Sequence, residues 1–246
     1  MALPLSPARL MAVLQPWADV AEPIHRRLAH LVDAEAGQEV LWVGCGAGRS
    51  VLWWAKRYET HVQGIDSDPE AIESAERSSR AAGLGSLATF QTADPGDLPH
   101  EDKMFDVTIA NLLCLCDIDG EKVVAELGRV ARPMSTVAAV VPIWLSTPKP
   151  AEAKLLESTG LAPHLLMEWK GYLRSAGIVE LAVEDAALDG KWIADGWIGL
   201  LVRGWRAARW AGVRTVMSRQ FSTLRKLARR RVLGLSIVKG TRWPHS

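Results

Sequence analysis

Residues 40–48 read VLWVGCGAG, and this stretch decides the fold of the 246-residue chain. An apolar run that stops at closely spaced glycines, followed by apolar residues at helical spacing up to Ala55, is typical of a β-strand that turns tightly into an α-helix. Glycine at such a turn lets backbone N–H groups approach a ligand where a Cβ would collide. The pattern alone also fits a tight turn that binds nothing.

Strand and helix patterns alternate after this turn, which predicts a parallel α/β sheet. The next strands are predicted at His61 to Ile65, Ala88 to Gln91, Phe105 to Ala110 and Thr136 to Val141, and helices at residues 18–32, Pro69 to Arg80 and Gly120 to Val130. After Pro142 the pattern is less regular. Lys149 to Ala176 is predicted to be largely helical, and Ile178 to Val183 and Val232 to Val238 are predicted to be strands. We expect a single domain over residues 1–246, with a core at 38–142 and a Trp- and Arg-rich helical insertion at about 190–231.

An acidic residue closes the second strand. Asp66 lies eighteen residues beyond Gly48. A carboxylate at the tip of this strand can accept both ribose hydroxyls of an adenosine, as in dinucleotide-binding folds. The alternative is a helix N-cap ahead of Pro69, which Ser67 or Asp68 could provide equally well.

Further segments follow in a fixed order: ADPGDLP at residues 93–99, FDV at 105–107 leading to Asn111, then EL at 126–127 and RV at 129–130 before Pro133. With the glycine turn and Asp66, they resemble the type 11 group of class I S-adenosylmethionine-dependent methyltransferases, which includes relatives of quinone and sterol methyltransferases. The resemblance covers residues 38–142. It implies a Rossmann-like, doubly wound, seven-stranded sheet whose last two strands are antiparallel neighbours at one edge, with the helical insertion between them.

The resemblance also implies the cofactor, S-adenosylmethionine, and the residues that bind it. Glycines of the turn would pass under the methionine part, an acid would hold the ribose, and two later residues would lie at the adenine. Asn111 would face the sulfonium side. The implied set is Gly44, Cys45, Gly46, Gly48, Asp66 for the ribose, Ser67 beside the adenine, Asp94 accepting from the adenine amino group, Pro95 and Asn111.

The chain departs from the family pattern at three places. Trp42 stands where the family usually has an acid that helps to anchor the amino group of the cofactor. Met134-Ser135 replaces a glycine pair after Pro133, so we expect a different turn there. Apolar residues and a cysteine replace pocket histidines, at Leu112, Leu115 and Cys116.

These departures leave the catalytic residue unassigned. Methyl transfer from a sulfonium is an in-line displacement, so proximity and alignment supply much of the catalysis, and a base is needed only for a protonated nucleophile. In the loop directly after Asn111, residues 112–119, the acidic residues are Asp117 and Asp119, and helix capping is the better interpretation of both. On the first helix, His25 and His30 could face the acceptor, although surface positions are favoured. An amine, thiol or otherwise activated acceptor suits such a site better than a simple alcohol.

Basic residues are concentrated in one segment. From Gly196 to Ser246 there are twelve Lys and Arg and no Asp or Glu, so the rest of the chain carries 29 − 12 = 17 basic against 28 acidic residues. Basic amphipathic helices with tryptophan lie well in a lipid interface, which predicts peripheral membrane contact. Two alternatives stay open: helices that pack on the sheet with arginines in water, and nucleic-acid binding, which is the less favoured.

Cysteine usage and hydropathy indicate the compartment, and the cysteine spacing argues against a metal site. Three cysteines form no disulfide framework, and no apolar run approaches the roughly 18 residues of a membrane-spanning helix, so we expect a cytoplasmic protein. Cys114 and Cys116 lack the partners of a metal site, and we expect them to be inert and no metal to bind.

The combined prediction is a methyltransferase that acts on a small-molecule or amphiphilic, lipid-like acceptor. One alternative is an RNA or protein methyltransferase that uses the basic segment. The other is a catalytically inactive relative that binds the cofactor, as the replacement of the acid at Trp42 and of the pocket histidines would suggest.

Overall fold

The computed structural model describes residues 22–112, 115, 118–157, 161–185, 227 and 230–244. The helices are α1 (Glu22–Leu31), α2 (Arg49–Tyr58), α3 (Pro69–Ala82), α4 (Gly120–Val130), α5 (Pro150–Glu157) and α6 (Leu166–Ser175). The strands are β1 (Glu39–Val43), β2 (His61–Asp66), β3 (Ala88–Thr92), β4 (Phe105–Asn111), β5 (Ala131–Trp144), β6 (His164–Leu165), β7 (Ile178–Asp185) and β8 (Leu233–Arg242).

The strands form one sheet in the order β3-β2-β1-β4-β5-β8-β7. Strands β1 to β5 pair in parallel, and β8 runs antiparallel to both β5 and β7. This confirms the predicted doubly wound α/β sheet and its antiparallel edge. The two-residue β6, which pairs with the end of β5, is an eighth strand that the sequence pattern did not indicate. Most of the expected insertion lies outside the described residues and stays a prediction.

Two regions differ from the sequence-based expectation. The segment 149–176 is largely helical, as predicted, but it is divided, because β6 separates α5 from α6 and Pro163, just before β6, cannot continue a helix. β5 begins at Ala131, and its register against β4 jumps from Phe105–Ala131 to Val107–Thr136. Met134 takes a left-handed φ of 65° within this jump, so the residues after Pro133 form an irregularity inside a strand rather than a turn before one.

Helices cover both faces of the sheet and bury a core on each. On one face α1, α2 and α3 contribute, for example, Leu28, Trp54 and Ile72, and on the other α4 and α6 contribute Leu127 and Leu173. Since β1 to β5 are parallel, their carboxyl ends lie at one edge, where doubly wound folds bind ligands. None of the described helices is long and apolar enough to cross a membrane.

Candidate cofactor-binding site

The glycine turn after β1 depends on left-handed backbone. Gly44, Gly46 and Gly48 have φ values of 75°, 52° and 81°, which L side chains rarely adopt. A Cβ on Gly44 would lie 2.8 Å from the backbone oxygen of Asn111, and one on Gly48 would lie 2.7 Å from the ring of Phe90. The glycines therefore allow β1 and α2 to approach β4 and β3 closely at the mouth of the site.

The carboxylate of Asp66 joins this turn to the end of β2. Its Oδ2 accepts from the backbone N–H of Gly46 at 2.8 Å, its Oδ1 accepts from that of Asp68 at 3.0 Å, and the residue is only 2% exposed. The alternative role as N-cap of α3 belongs to Asp68, which accepts from the backbone N–H of Glu70.

Ser67 and Asp94 follow the ends of two neighbouring strands. The last paired residues of β2 and β3 are Asp66 and Thr92, and Ser67 and Asp94 come one and two residues after them. Both residues are exposed, whereas Pro95 is buried. Asp94 Oδ1 accepts from the backbone N–H of Gly96 at 2.8 Å, and its Oδ2 has no partner among the described residues. Asp94 therefore presents an open acceptor beside the end of β2.

Asn111 ends β4 and is buried, with its backbone oxygen against Gly44. The structure thus brings the whole implied set to one edge of the sheet: Gly44, Cys45, Gly46, Gly48, Asp66, Ser67, Asp94, Pro95 and Asn111. A left-handed glycine turn, a buried carboxylate and an exposed acceptor are suited to bind an adenosine with an amino-acid tail. The residues present therefore fit S-adenosylmethionine.

Residues 40–134 match the family model described as a methyltransferase domain. A methyltransferase, GfsG, of Streptomyces halstedii is 32% identical over 125 residues, which is 51% of this chain and 45% of the relative. Residues 40–134 of the chain are therefore similar to a methyltransferase domain, and the sheet has the fold of class I methyltransferases. This similarity agrees with the resemblance recognised in the sequence, which implies S-adenosylmethionine as the cofactor.

A second relative and two solved structures extend the similarity. Ajmaline N-methyltransferase of Rauvolfia serpentina is 35% identical over 101 residues, 41% of this chain and 34% of the relative. The chain spans about half or less of the length of these two relatives. An S-adenosylmethionine-dependent methyltransferase from Thiobacillus denitrificans, in complex with S-adenosylhomocysteine, superposes with a TM-score of 0.68 at 22% identity over 97% of this chain and 98% of that one. The [4+2]-cyclase SpnF superposes with 0.77 at 21% identity over 94% and 84%.

Trp42, at the position of the usual methyltransferase acid, is buried and does not restore a polar contact. Its ring lies edge-on to His25 and Trp54, at centroid distances of 5.8 and 5.6 Å, and its Nε1 has no partner among the described residues. The prediction that His25 lies at the surface is wrong, because His25 is buried with Leu28 on the inward face of α1. His25 Nε2 lies 3.1 Å from Ser50 Oγ in α2, whereas His30 is exposed as expected.

An aromatic cluster that the sequence analysis did not identify lies at the carboxyl end of β5. The rings of His164, Trp169 and Tyr172 meet edge-on at centroid distances of 5.0 to 5.7 Å, and Trp169 Nε1 donates to the oxygen of Pro142. His164 pairs with Ile143 near the end of β5. The cluster therefore places an imidazole at the edge of the sheet that carries the implied cofactor residues.

Carboxylates surround this cluster. Burial, followed by the charges of Glu168, Glu121 and Asp119, raises the pKa of Tyr172. His164 Nδ1 lies 3.9 Å from Glu168 Oε2. Asp119 is the N-cap of α4, accepting from the backbone of Glu121, which confirms its interpretation as a capping residue. Asp117 and Cys116 lie outside the described residues, and Leu112 and Leu115 are buried.

Among the described residues, no group of three or more His, Cys, Asp or Glu side chains could hold a metal ion.

Proposed function

We propose that the protein transfers a methyl group from S-adenosylmethionine to a small-molecule acceptor at the carboxyl edge of its sheet. The observation that carries the proposal is the Asp66 carboxylate, which is buried at the end of β2 and accepts from the backbone N–H of Gly46 in a left-handed glycine turn. This arrangement supports Asp66 as the ribose acceptor, beside a glycine turn along which the methionine part would run. The relatives' names, which include an ajmaline N-methyltransferase, support a small molecule as the acceptor.

Each residue of the set has a proposed role. The glycine turn, with Cys45, would carry the methionine part, Asp66 would accept from the ribose hydroxyls, and Ser67, Asp94 and Pro95 would form the adenine side. Asn111 would face the sulfonium. When bound, the cofactor supplies a methyl group on a positively charged sulfur, and the chain's task is to hold an acceptor in line with it.

The acceptor side favours a nucleophile whose lone pair is free, so that no base must remove a proton before it attacks. The described part of the loop after β4 offers the buried Leu112 and Leu115, and the carboxylate of Asp119 caps α4. A neutral amine or a thiolate meets this requirement, and His164 is the described imidazole at the end of β5 that could accept a proton. An amphiphilic acceptor and peripheral membrane contact through the basic segment are the finer parts of this proposal.

Two measurements test the proposal. Calorimetry of the purified protein with S-adenosylmethionine and S-adenosylhomocysteine should give one site for both, and binding of neither would contradict the proposal. Methyl-labelled donor, added with the protein to a fractionated cell extract, should label the small-molecule or lipid fraction.

Label in RNA or protein would support the alternative that uses the basic segment. Binding without label in any fraction would support the inactive alternative. The similarity of the fold to a [4+2]-cyclase makes this control necessary, because the fold alone does not fix the reaction.

A further inference from the structure

We infer that Arg129 and Glu126, at the end of α4, are positioning residues that set the adenine selectivity of the site by holding the loop that carries Asp94. The inference rests on the proposed function, because it takes Asp94 as the acceptor for the adenine amino group. Neither residue belongs to the implied cofactor set, and both act on it from the neighbouring helix.

The guanidinium of Arg129 uses all five of its N–H donors. Two form a fork on Glu126, from Nε to Oε1 at 2.7 Å and from Nη2 to Oε2 at 2.6 Å. The other three reach the loop between β3 and β4: the backbone oxygens of Leu98 at 3.0 Å and His100 at 2.7 Å, and Asp102 Oδ1 at 2.9 Å. An arginine in this geometry is a fixed anchor rather than a mobile surface charge.

Glu126 completes the anchor from its other side. Its Oε2 accepts from the backbone N–H of Leu98 at 2.8 Å, so Leu98 is held through both its N–H and its C=O. The Leu98 side chain is buried in the core under α4. The side chain of Glu126 is 16% exposed and that of Arg129 is 31% exposed, so solvent competes only partly with these bonds.

Asp94 lies between this anchor and a second one. On one side, the backbone N–H of Ala93 donates to the oxygen of Asp66 at 3.1 Å. On the other, a tight turn in which the N–H of Asp97 donates to the oxygen of Asp94 leads directly to Leu98. Since Leu98 is only four residues from Asp94, a shift of the anchor is transmitted to the Asp94 carboxylate.

The charge states of the pair favour a permanent anchor. The hydrogen bond from Arg129 is the main cause of the lowered pKa of Glu126, and the bond to Glu126 raises the pKa of Arg129. Replacing Arg129 with an apolar side chain would leave the Glu126 carboxylate and two backbone oxygens without their donor. The loop would then lose the hydrogen bonds that fix its position, and the effect would be larger than the loss of one surface contact.

The test compares two ligands: S-adenosylhomocysteine and its analogue whose purine lacks the 6-amino group. A hydrogen bond to a charged acceptor changes affinity by about tenfold or more, so the wild-type protein should prefer the adenine ligand by about that factor. Asp94→Ala should abolish the preference. Arg129→Met should reduce it at least threefold, and adding Arg129→Met to Asp94→Ala should reduce it no further.

The matched control is Arg132→Met, which removes an ion pair with Asp106 away from the Asp94 loop and should leave the preference unchanged. If Arg129→Met fails to fold, Glu126→Gln, which keeps the side-chain shape, must reduce the preference instead. An unchanged preference in the folded Arg129 or Glu126 variant, or in Asp94→Ala, overturns the inference. Absence of binding to the wild-type protein would instead contradict the proposed function.

Discussion

Among single residues, Asp66 is the one on which the proposed site depends most. Its buried carboxylate accepts from two backbone N–H groups and is the proposed ribose acceptor. Asp66→Ala should weaken S-adenosylhomocysteine binding at least tenfold, because charge-assisted hydrogen bonds of about 1.5–3 kcal/mol each are lost. It should also lower the free energy of unfolding by about 1–3 kcal/mol, because buried N–H groups lose their acceptor. Calorimetry and denaturant unfolding measure the two effects.

Asp94→Ala is the comparison for this variant. Asp94 is exposed and its carboxylate accepts one backbone bond within its own turn, so its loss should weaken binding less and barely change stability. Equal affinity of the wild-type and Asp66→Ala proteins would show that the ribose lies elsewhere.

His100 should make the stability of the protein depend on pH. Its two ring nitrogens are buried without a partner among the described residues, and burial, followed by the nearby Arg129, lowers its pKa. The unfolded chain therefore binds the proton more readily, and stability should fall as the pH drops below the ordinary histidine value of about 6.5. His100→Phe, which keeps a ring beside Phe105, should reduce this fall, measured by denaturant unfolding between about pH 7.5 and 5.5.

The exposed His61, which pairs with Glu39, provides the control. His61→Asn should leave the contribution of His100 in place. An identical pH dependence for wild-type and His100→Phe proteins would contradict the prediction.

Between elements, the contact of α4 with α6 is close enough to require glycine. A Cβ on Gly120 would lie 2.5 Å from the ring of Trp169, whereas one on Gly171, within α6, would meet nothing within 4 Å. Gly120→Ala should lower the free energy of unfolding by about 1–3 kcal/mol through overpacking. Gly171→Ala should raise it by about 0.5–1 kcal/mol, because alanine loses less backbone entropy in a helix. Urea unfolding measures both changes in the free energy of unfolding, and changes of the same sign in the two variants would contradict this account.

Local patterns predicted elements well where local chemistry determines them. The bounds of α4, Gly120–Val130, agree with the prediction, since Asp119 caps a helix with apolar residues at helical spacing. The irregularity in β5 and the strand β6 depend on pairing with distant strands, which no local pattern carries. The ordered motifs likewise indicated the proposed cofactor residues, whereas the loop contacts of Arg129 and the position of His164 are seen only in three dimensions.

For the whole molecule, the uneven charge leads to a prediction about surfaces. Arg230 lies 3.6 Å from Glu152 in α5, so at least this arginine of the basic segment meets an acid of its own fold. Arg225 and Arg229 lie outside the described residues. If the segment is interfacial, replacing all three with Gln should release the protein from anionic liposomes, since each contributes on the order of 1 kcal/mol near such a surface. Cofactor binding should be unchanged.

Flotation with liposomes at low and high salt measures this, because the charge-dependent part of binding weakens as salt is added. The control replaces Arg77 and Arg80, exposed on α3, with Gln and should not affect flotation. Wild-type protein that does not float with anionic vesicles at low salt would contradict membrane contact.

The position of β8 has a consequence for the protein during its synthesis. β8 lies between β5 and β7, although residues 186–232 separate it from β7 in the chain. A ribosome therefore releases β5, with nine residues destined to pair with β8, well before β8 itself emerges. In that interval an apolar strand edge is open, and such edges recruit other strands. A nascent-chain chaperone that binds extended apolar backbone would find its target there, and translation speed through residues 186–232 would set how long the edge must be shielded.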